Sequence, residues 1–163
     1  MRLRKLEQKD AVRMLEWMHD SFVVEKLRGD FATKTMEDCA TFIANSISEK
    51  NIHLAIADDH DEYMGTVSLK NIIENTAEFA IVVHRDAMGK EYSIWAMREI
   101  FRKGFEEYNI ESIYWCVDPN NARALRFYDK NDFQRVKSDD IKIENAYTIE
   151  QIERYIWYQV KRN

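Results

Sequence analysis

Polar and apolar positions alternate over residues 2–6, where Leu3 and Leu6 are set among Arg2, Arg4 and Lys5, the pattern of an edge strand. Ala11, Met14, Leu15 and Met18 then recur at helical spacing and predict a first amphipathic helix. Its end passes into a short turn over residues 22–27 and a loop broken at Gly29. Thr35 and Asp38 are spaced as a helix cap and its reciprocal partner, and Met36, Cys39, Ala40, Ile43 and Ile47 mark the buried stripe of the next helix. From His53 the period falls to two, so residues 53–57 and 63–70 read as an antiparallel pair joined by an Asp-Asp-His-Asp turn. A strand over 77–84 puts Glu78, Ala80, Val82 and His84 on one face and Phe79, Ile81 and Val83 on the other. A long helix follows, with Ile94, Met97, Phe101, Phe105 and Tyr108 as its apolar stripe. Residues 113–117 form a further strand, a helix comes next, and strands from Phe133 and over 155–160 close the pattern. Residues 138–153 are polar and give no assignable element.

Composition narrows the class. At 163 residues, 45% hydrophobic and 33% charged, one globular domain spanning 1–163 is expected, with a mixed sheet and flanking helices. A net charge of -5 and the lack of any basic run argue against nucleic acid or an anionic membrane as partner. An acidic surface suits an amine substrate. No apolar run is long enough to span a bilayer, and the charged, alternating N-terminus is not a signal peptide, so a cytoplasmic location is expected. Cys39 and Cys116 read as packed thiols rather than a bridge. His19, His53, His60 and His84 lack metal-binding spacing, and no metal is expected.

Two stretches carry candidate chemistry. The strand at 77–84 feeds a helix through Met88, Gly89, Lys90, Glu91, Tyr92 and Ser93, and a strand feeding a helix N-terminus is a recipe for holding phosphate. The strand at 113–117 leads into Pro119-Asn120-Asn121, then Ala124, Tyr128 and Phe133. This order, with Asn-x-x-Ala-x-x-x-Tyr in the last helix, resembles the GNAT superfamily of acetyl-CoA-dependent N-acetyltransferases. The likeness runs from about residue 2 to 137 and looks closest to the branch that includes ribosomal-protein and sugar-nucleotide acetyltransferases. It implies an α/β (α+β) fold: a mixed, mostly antiparallel twisted sheet of about six to seven strands flanked by about four helices.

The resemblance also implies roles. Backbone N–H groups of Ile81, Val82 and Val83 would hold the pantetheine arm and stabilise the thioester oxygen. Residues 88–93 would cradle the pyrophosphate, Asn121 would hydrogen-bond the CoA chain, and Tyr128 would reach its sulfur and protonate the leaving thiolate. The cradle departs from the family's Gln/Arg-x-x-Gly-x-Gly/Ala, since Met88 stands for Gln or Arg, Glu91 for the central Gly and Ser93 for the last small residue. Asp132 replaces the Gly before Phe133. Glu78 is the candidate base, with a solvated strand residue as its plain alternative. Trp17, His19, Arg28 and Phe31 lie where the family builds its acceptor pocket, and packing is the alternative for each. The implied reaction is direct acetyl transfer from acetyl-CoA to a primary amine in a ternary complex, by a monomer or homodimer. A small molecule such as an amino sugar or sugar nucleotide is expected as acceptor. Acetylation of a protein N-terminus, a non-catalytic acyl-CoA-binding module and an interaction domain without CoA stay open.

Overall fold

The computed structural model describes residues 1–143 and 147–163. Among these, seven strands make one sheet in the order β1-β2-β3-β4-β5-β7-β6. They are β1 (Arg2–Lys5), β2 (Ile52–Ala57), β3 (Tyr63–Ile73), β4 (Thr76–Val83), β5 (Ser112–Val117), β6 (Arg135–Val136) and β7 (Ile156–Lys161). Every pairing is antiparallel except β4 with β5. The helices are α1 (Ala11–Met18), α2 (Ser21–Val24), α3 (Met36–Ala44), α4 (Tyr92–Glu107), α5 (Ala122–Lys130) and α6 (Ile149–Arg154). The mixed, mostly antiparallel sheet agrees with the expected fold class, and α2 and α6 are two short helices beyond the expected four.

Alternation in β4 divides the protein into two apolar layers. Phe79, Ile81 and Val83 join Ile113, Trp115 and Val117 of β5 and pack on Ala96, Met97, Ile100 and Phe101 of α4 and on Leu125 and Tyr128 of α5. Val82 points the other way, into Met14 and Trp17 of α1 and Cys39 and Ile43 of α3. Each fully buried side chain such as Met97 or Ile100 contributes about 1.5–3 kcal/mol. Trp115 centres the first layer, stacked on Tyr158 at 5.5 Å and meeting Phe79 and Phe133 edge-on. Phe133 therefore anchors the end of the α5 segment by packing.

Caps set several helix ends. Thr35 and Asp38 form the expected reciprocal pair, the Thr35 hydroxyl accepting from Asp38 N and Asp38 accepting from Thr35 N at 2.8 Å. The expected stripe of α3 is too long, because the helix stops at Ala44, where Asn45 Nδ2 donates to Thr41 O at 2.9 Å. Ile47 lies beyond that stop in a bridge to Ile52, and both it and Met36 are exposed. In α4, Tyr108 likewise falls past the last turn and is exposed. Part of the unassigned polar segment holds α6, capped by Thr148, while residues 144–146 of that segment lie outside the described residues.

Candidate active site

The parallel ladder between β4 and β5 is short. Thr76, Ala77 and Glu78 pair with Ser112, Ile113 and Tyr114, and there the pairing stops. Residues 79–83 keep β3 on one side, from Leu69 opposite Phe79 to Gly65 opposite Val83, and among the described residues have no strand on the other. Backbone N–H and C=O groups alternate sides along a strand, so about half of those in this run face the opening. Ile81, Val82 and Val83 are half-buried there. Gly65 brings β3 unusually close, since a Cβ on it would lie 2.4 Å from Val82 O.

At the open end of β4 the chain turns through His84 into α4. His84 Nδ1 accepts from Asp86 N at 3.1 Å, which leaves Nε2–H to donate to Glu16 at 2.8 Å. Both ring nitrogens are engaged, and His84 caps the turn. Gly89 has φ +74°, and a Cβ there would meet nothing within 4 Å. Glu91 is the N-cap of α4 with φ 64° and ψ 1°, the left-handed region that glycine occupies without strain. Its exposed side chain makes no capping bond. The N-cap side chain thus leaves the N-terminus of this 16-residue helix uncapped, an end whose dipole favours negative charge. Lys90 is exposed in the same turn, while Tyr92 and Ser93 open the helix half-buried. Met88 packs towards α1, and its sulfur lies 3.9 Å from Arg123 Nη1 of α5.

The motif of α5 divides between structure and chemistry. Asn121 is the N-cap, and its Oδ1 accepts from Ala124 N at 3.2 Å. Its Nδ2 makes no hydrogen bond among the described residues. Tyr128 is buried between Trp115 and Tyr158, yet its hydroxyl also makes no hydrogen bond among the described residues. Burial pushes its phenol well above the usual range, helped by nearby Tyr158 and Cys116, so it keeps its proton at neutral pH.

Glu78 sits where the ladder ends, on the α1–α3 side, and is only 3% exposed. Asn71 Nδ2 donates to Oε2 at 2.8 Å, the Tyr147 hydroxyl donates to Oε1, and Lys70 Nζ lies 3.4 Å from Oε1. The Cys116 thiol donates to Tyr147 Oη at 3.5 Å, completing a chain from β5 to β4. Burial raises Cys116 to about 11, so it remains a thiol. A carboxylate with these partners is not a solvated strand residue. Among the described residues no group of three or more His, Cys, Asp or Glu is placed to hold a metal ion, and no helix is long and apolar enough to cross a membrane.

Four residues expected at the acceptor pocket fare differently. Arg28 stands 4.2 Å over the ring of Tyr147 and so reaches the Glu78 cluster from the α2–α3 loop. Phe31 packs edge-on against Trp17 at 5.2 Å. Trp17 itself is a core residue, 5% exposed, whose indole N–H donates to Tyr63 Oη at 3.0 Å. His19 is exposed just past the end of α1, bonded to Lys34 O at 2.8 Å in an outer groove with Val12, Leu15 and Met36. Tyr147 was missed by sequence reasoning, since a single Tyr in a polar segment without periodicity carries no signal.

The sequence matches the family described as an acetyltransferase (GNAT) domain over residues 1–134. No curated protein matches by sequence. Among solved structures, the spermidine N-acetyltransferase of Vibrio cholerae in complex with CoA and spermine superposes with a TM-score of 0.78 at 17% identity, covering 98% of this chain and 94% of that one. A GNAT-family acetyltransferase from Bacillus anthracis gives 0.74 at 21% identity, with 98% and 93% covered. One from Acinetobacter baylyi ADP1, described as a putative acetyltransferase, gives 0.72 at 17%, with 99% and 91% covered.

Proposed function

The chain belongs to the GNAT acetyltransferase family, and from that premise we propose that it transfers acetyl from acetyl-CoA to the primary amine of a small molecule by direct attack in a ternary complex. The observation that carries this reading is the opening between β4 and β5, whose strand edge at 79–83 leads straight to the turn before α4. The site residues fit the donor: Ile81, Val82 and Val83 offer backbone groups to an amide-bearing arm, and Gly89 with the α4 N-terminus offers room and positive potential to a pyrophosphate. Met88, Lys90, Glu91, Tyr92 and Ser93 complete the cradle in this reading, and the free Nδ2 of Asn121 donates to the CoA chain. Bound acetyl-CoA supplies the activated acetyl group. Glu78 takes one proton from the ammonium before attack, which frees the nitrogen lone pair to form the N–C bond, and Tyr128 gives its proton to the sulfur as the C–S bond breaks. The ammonium loses two protons in all. One leaves through Glu78 to solvent, and the other balances the proton given up by Tyr128.

The acceptor class expected from the motif branch, amino sugars and sugar nucleotides, is part of the proposal, and it rests on the run from Asn121 to Phe133. A polyamine acceptor is the comparison, suggested by the spermine-bound neighbour. Arg28, Phe31 and, through Phe31, Trp17 border this side; His19 has no part in it. Acetyl-CoA should raise the melting temperature, and release of free CoA should then be followed with amino sugars, polyamines and a peptide with a free N-terminus. No shift at millimolar acetyl-CoA removes the reading. A shift with no turnover of any amine favours a non-catalytic acyl-CoA-binding module, the second reading, to which Glu91 in the cradle lends weight.

A further inference from the structure

Resting on the acetyl-transfer reading, we propose that the acceptor is zwitterionic, an amine carrying its own carboxylate or phosphate, recognised by the Lys70–Glu78 pair. Lys70 and Glu78 are direct partners across β3 and β4, and their charged atoms lie 3.4 Å apart on the α1–α3 face. They differ in access. The Glu78 side chain is 3% exposed and the Lys70 side chain 35%. A cation and an anion side by side form a fixed dipole, which is complementary to a ligand that carries both signs in the opposite order. The ligand's ammonium takes Glu78, and its acid takes Lys70. This exchange also serves the chemistry, because Glu78 is released from Lys70 towards the amine only when the acceptor brings an anion to replace it.

A polycation has no such fit. Among the described residues the cationic side chains near Glu78 include Lys70 and Arg28, the latter held over Tyr147. The nearby His53, bonded to Ser68 Oγ at 2.6 Å, is kept neutral by burial and by Lys70, and adds no counter-charge. Further ammonium groups on the acceptor would therefore face like charge, which discriminates against them as effectively as a missing contact. Tyr147 and Asn71 already donate to Glu78, so the amine supplies the remaining charge.

Matched pairs test this: L-alanine with L-alaninamide, glucosamine 6-phosphate with glucosamine, and spermidine as the polycation, each followed by CoA release from acetyl-CoA. The acid-bearing member of one pair should be preferred about tenfold or more in kcat/KM, and which pair responds tells carboxylate from phosphate. Lys70→Met should erase the preference and Lys70→Arg should keep it. Better turnover of spermidine or of the uncharged-acid partners, or a preference that survives Lys70→Met, overturns the proposal. If no amine releases CoA, the acetyl-transfer reading fails and this inference falls with it.

Discussion

Glu78 and Tyr147, 69 positions apart, share a hydrogen bond in which the phenol donates to the carboxylate. It ties the last part of the chain to the strand at the centre of the sheet. Glu78→Gln should lower kcat/KM by about 10²–10³-fold if the carboxylate is the base, and because its amide keeps a single acceptor oxygen, one of the contacts to Asn71 and Tyr147 must reverse direction. Tyr147→Phe removes a donor to a charged group and should cost about 1.5–3 kcal/mol in denaturant unfolding. Wild-type rates in Glu78→Gln would assign deprotonation of the amine to another group.

Tyr128→Phe separates chemistry from packing more cleanly than most such changes. The hydroxyl makes no hydrogen bond among the described residues, so its loss should leave the melting temperature nearly unchanged. As the proton donor it should be worth roughly 10²–10⁴-fold in kcat, with acetyl-CoA affinity preserved. Unchanged kcat would mean that water protonates the sulfur.

At Glu91 the backbone adds a second reason for a glycine. A residue at φ 64° costs about 1–2 kcal/mol unless it is glycine, and Glu91 adds a carboxylate to the turn that is proposed to hold the pyrophosphate. Glu91→Gly should tighten acetyl-CoA binding about five- to tenfold, more so at low salt, with kcat nearly constant. The stability change should be small, because relief of strain is offset by the greater freedom of glycine in the unfolded chain. Calorimetric titration at two ionic strengths decides the binding part; equal or weaker affinity in the variant would place Glu91 outside the phosphate field.

His53 gives a pH dependence of stability with a definite sign. Burial, and then the charge on Lys70, lowers it from 6.5 to about 4. Between these values the unfolded chain binds a proton that the folded chain does not, so stability falls as pH drops from about 6.5 to 4. The full loss is about 3 kcal/mol at most. Denaturant unfolding at pH 7 and pH 4.5 should show the decline in the wild type and a smaller one in His53→Gln. Equal slopes would mean that His53 is solvated in the fold.

Most of the sheet was legible because strands declare themselves by alternation, as at Phe79 to His84, and the start of α3 because Thr35 with Asp38 is a local cap, whereas the capping bond of Asn121 to Ala124 was not read from the sequence. What sequence could not supply was direction and company. Alternation put Glu78 and Val82 on one face but could not say which helices cover it. Trp17 and His19 are two positions apart at the end of α1, yet one is buried against Tyr63 and the other, just past the last turn, bonds Lys34 on the surface. Tyr147 depends wholly on tertiary structure: nothing within ten residues of it predicts a partner on β4. Glu91 was the reverse case, visible as a departure from a motif before its left-handed backbone gave the physical reason.

The short ladder between β4 and β5 makes the sheet two plates, β1–β4 and β5–β7–β6, hinged along three residue pairs. A guest molecule with its own amides, lying along residues 79–83, would act as the missing rung of that ladder. Its departure would then be a mechanical event as well as a chemical one, since the joint loses bracing each time product leaves. Backbone amides at 79–83 that face the gap should exchange with solvent faster in the free protein and slow when acetyl-CoA is bound, while those facing β3 change little. Stiffening the joint from outside the site should slow that exchange in the free protein without touching the reacting groups.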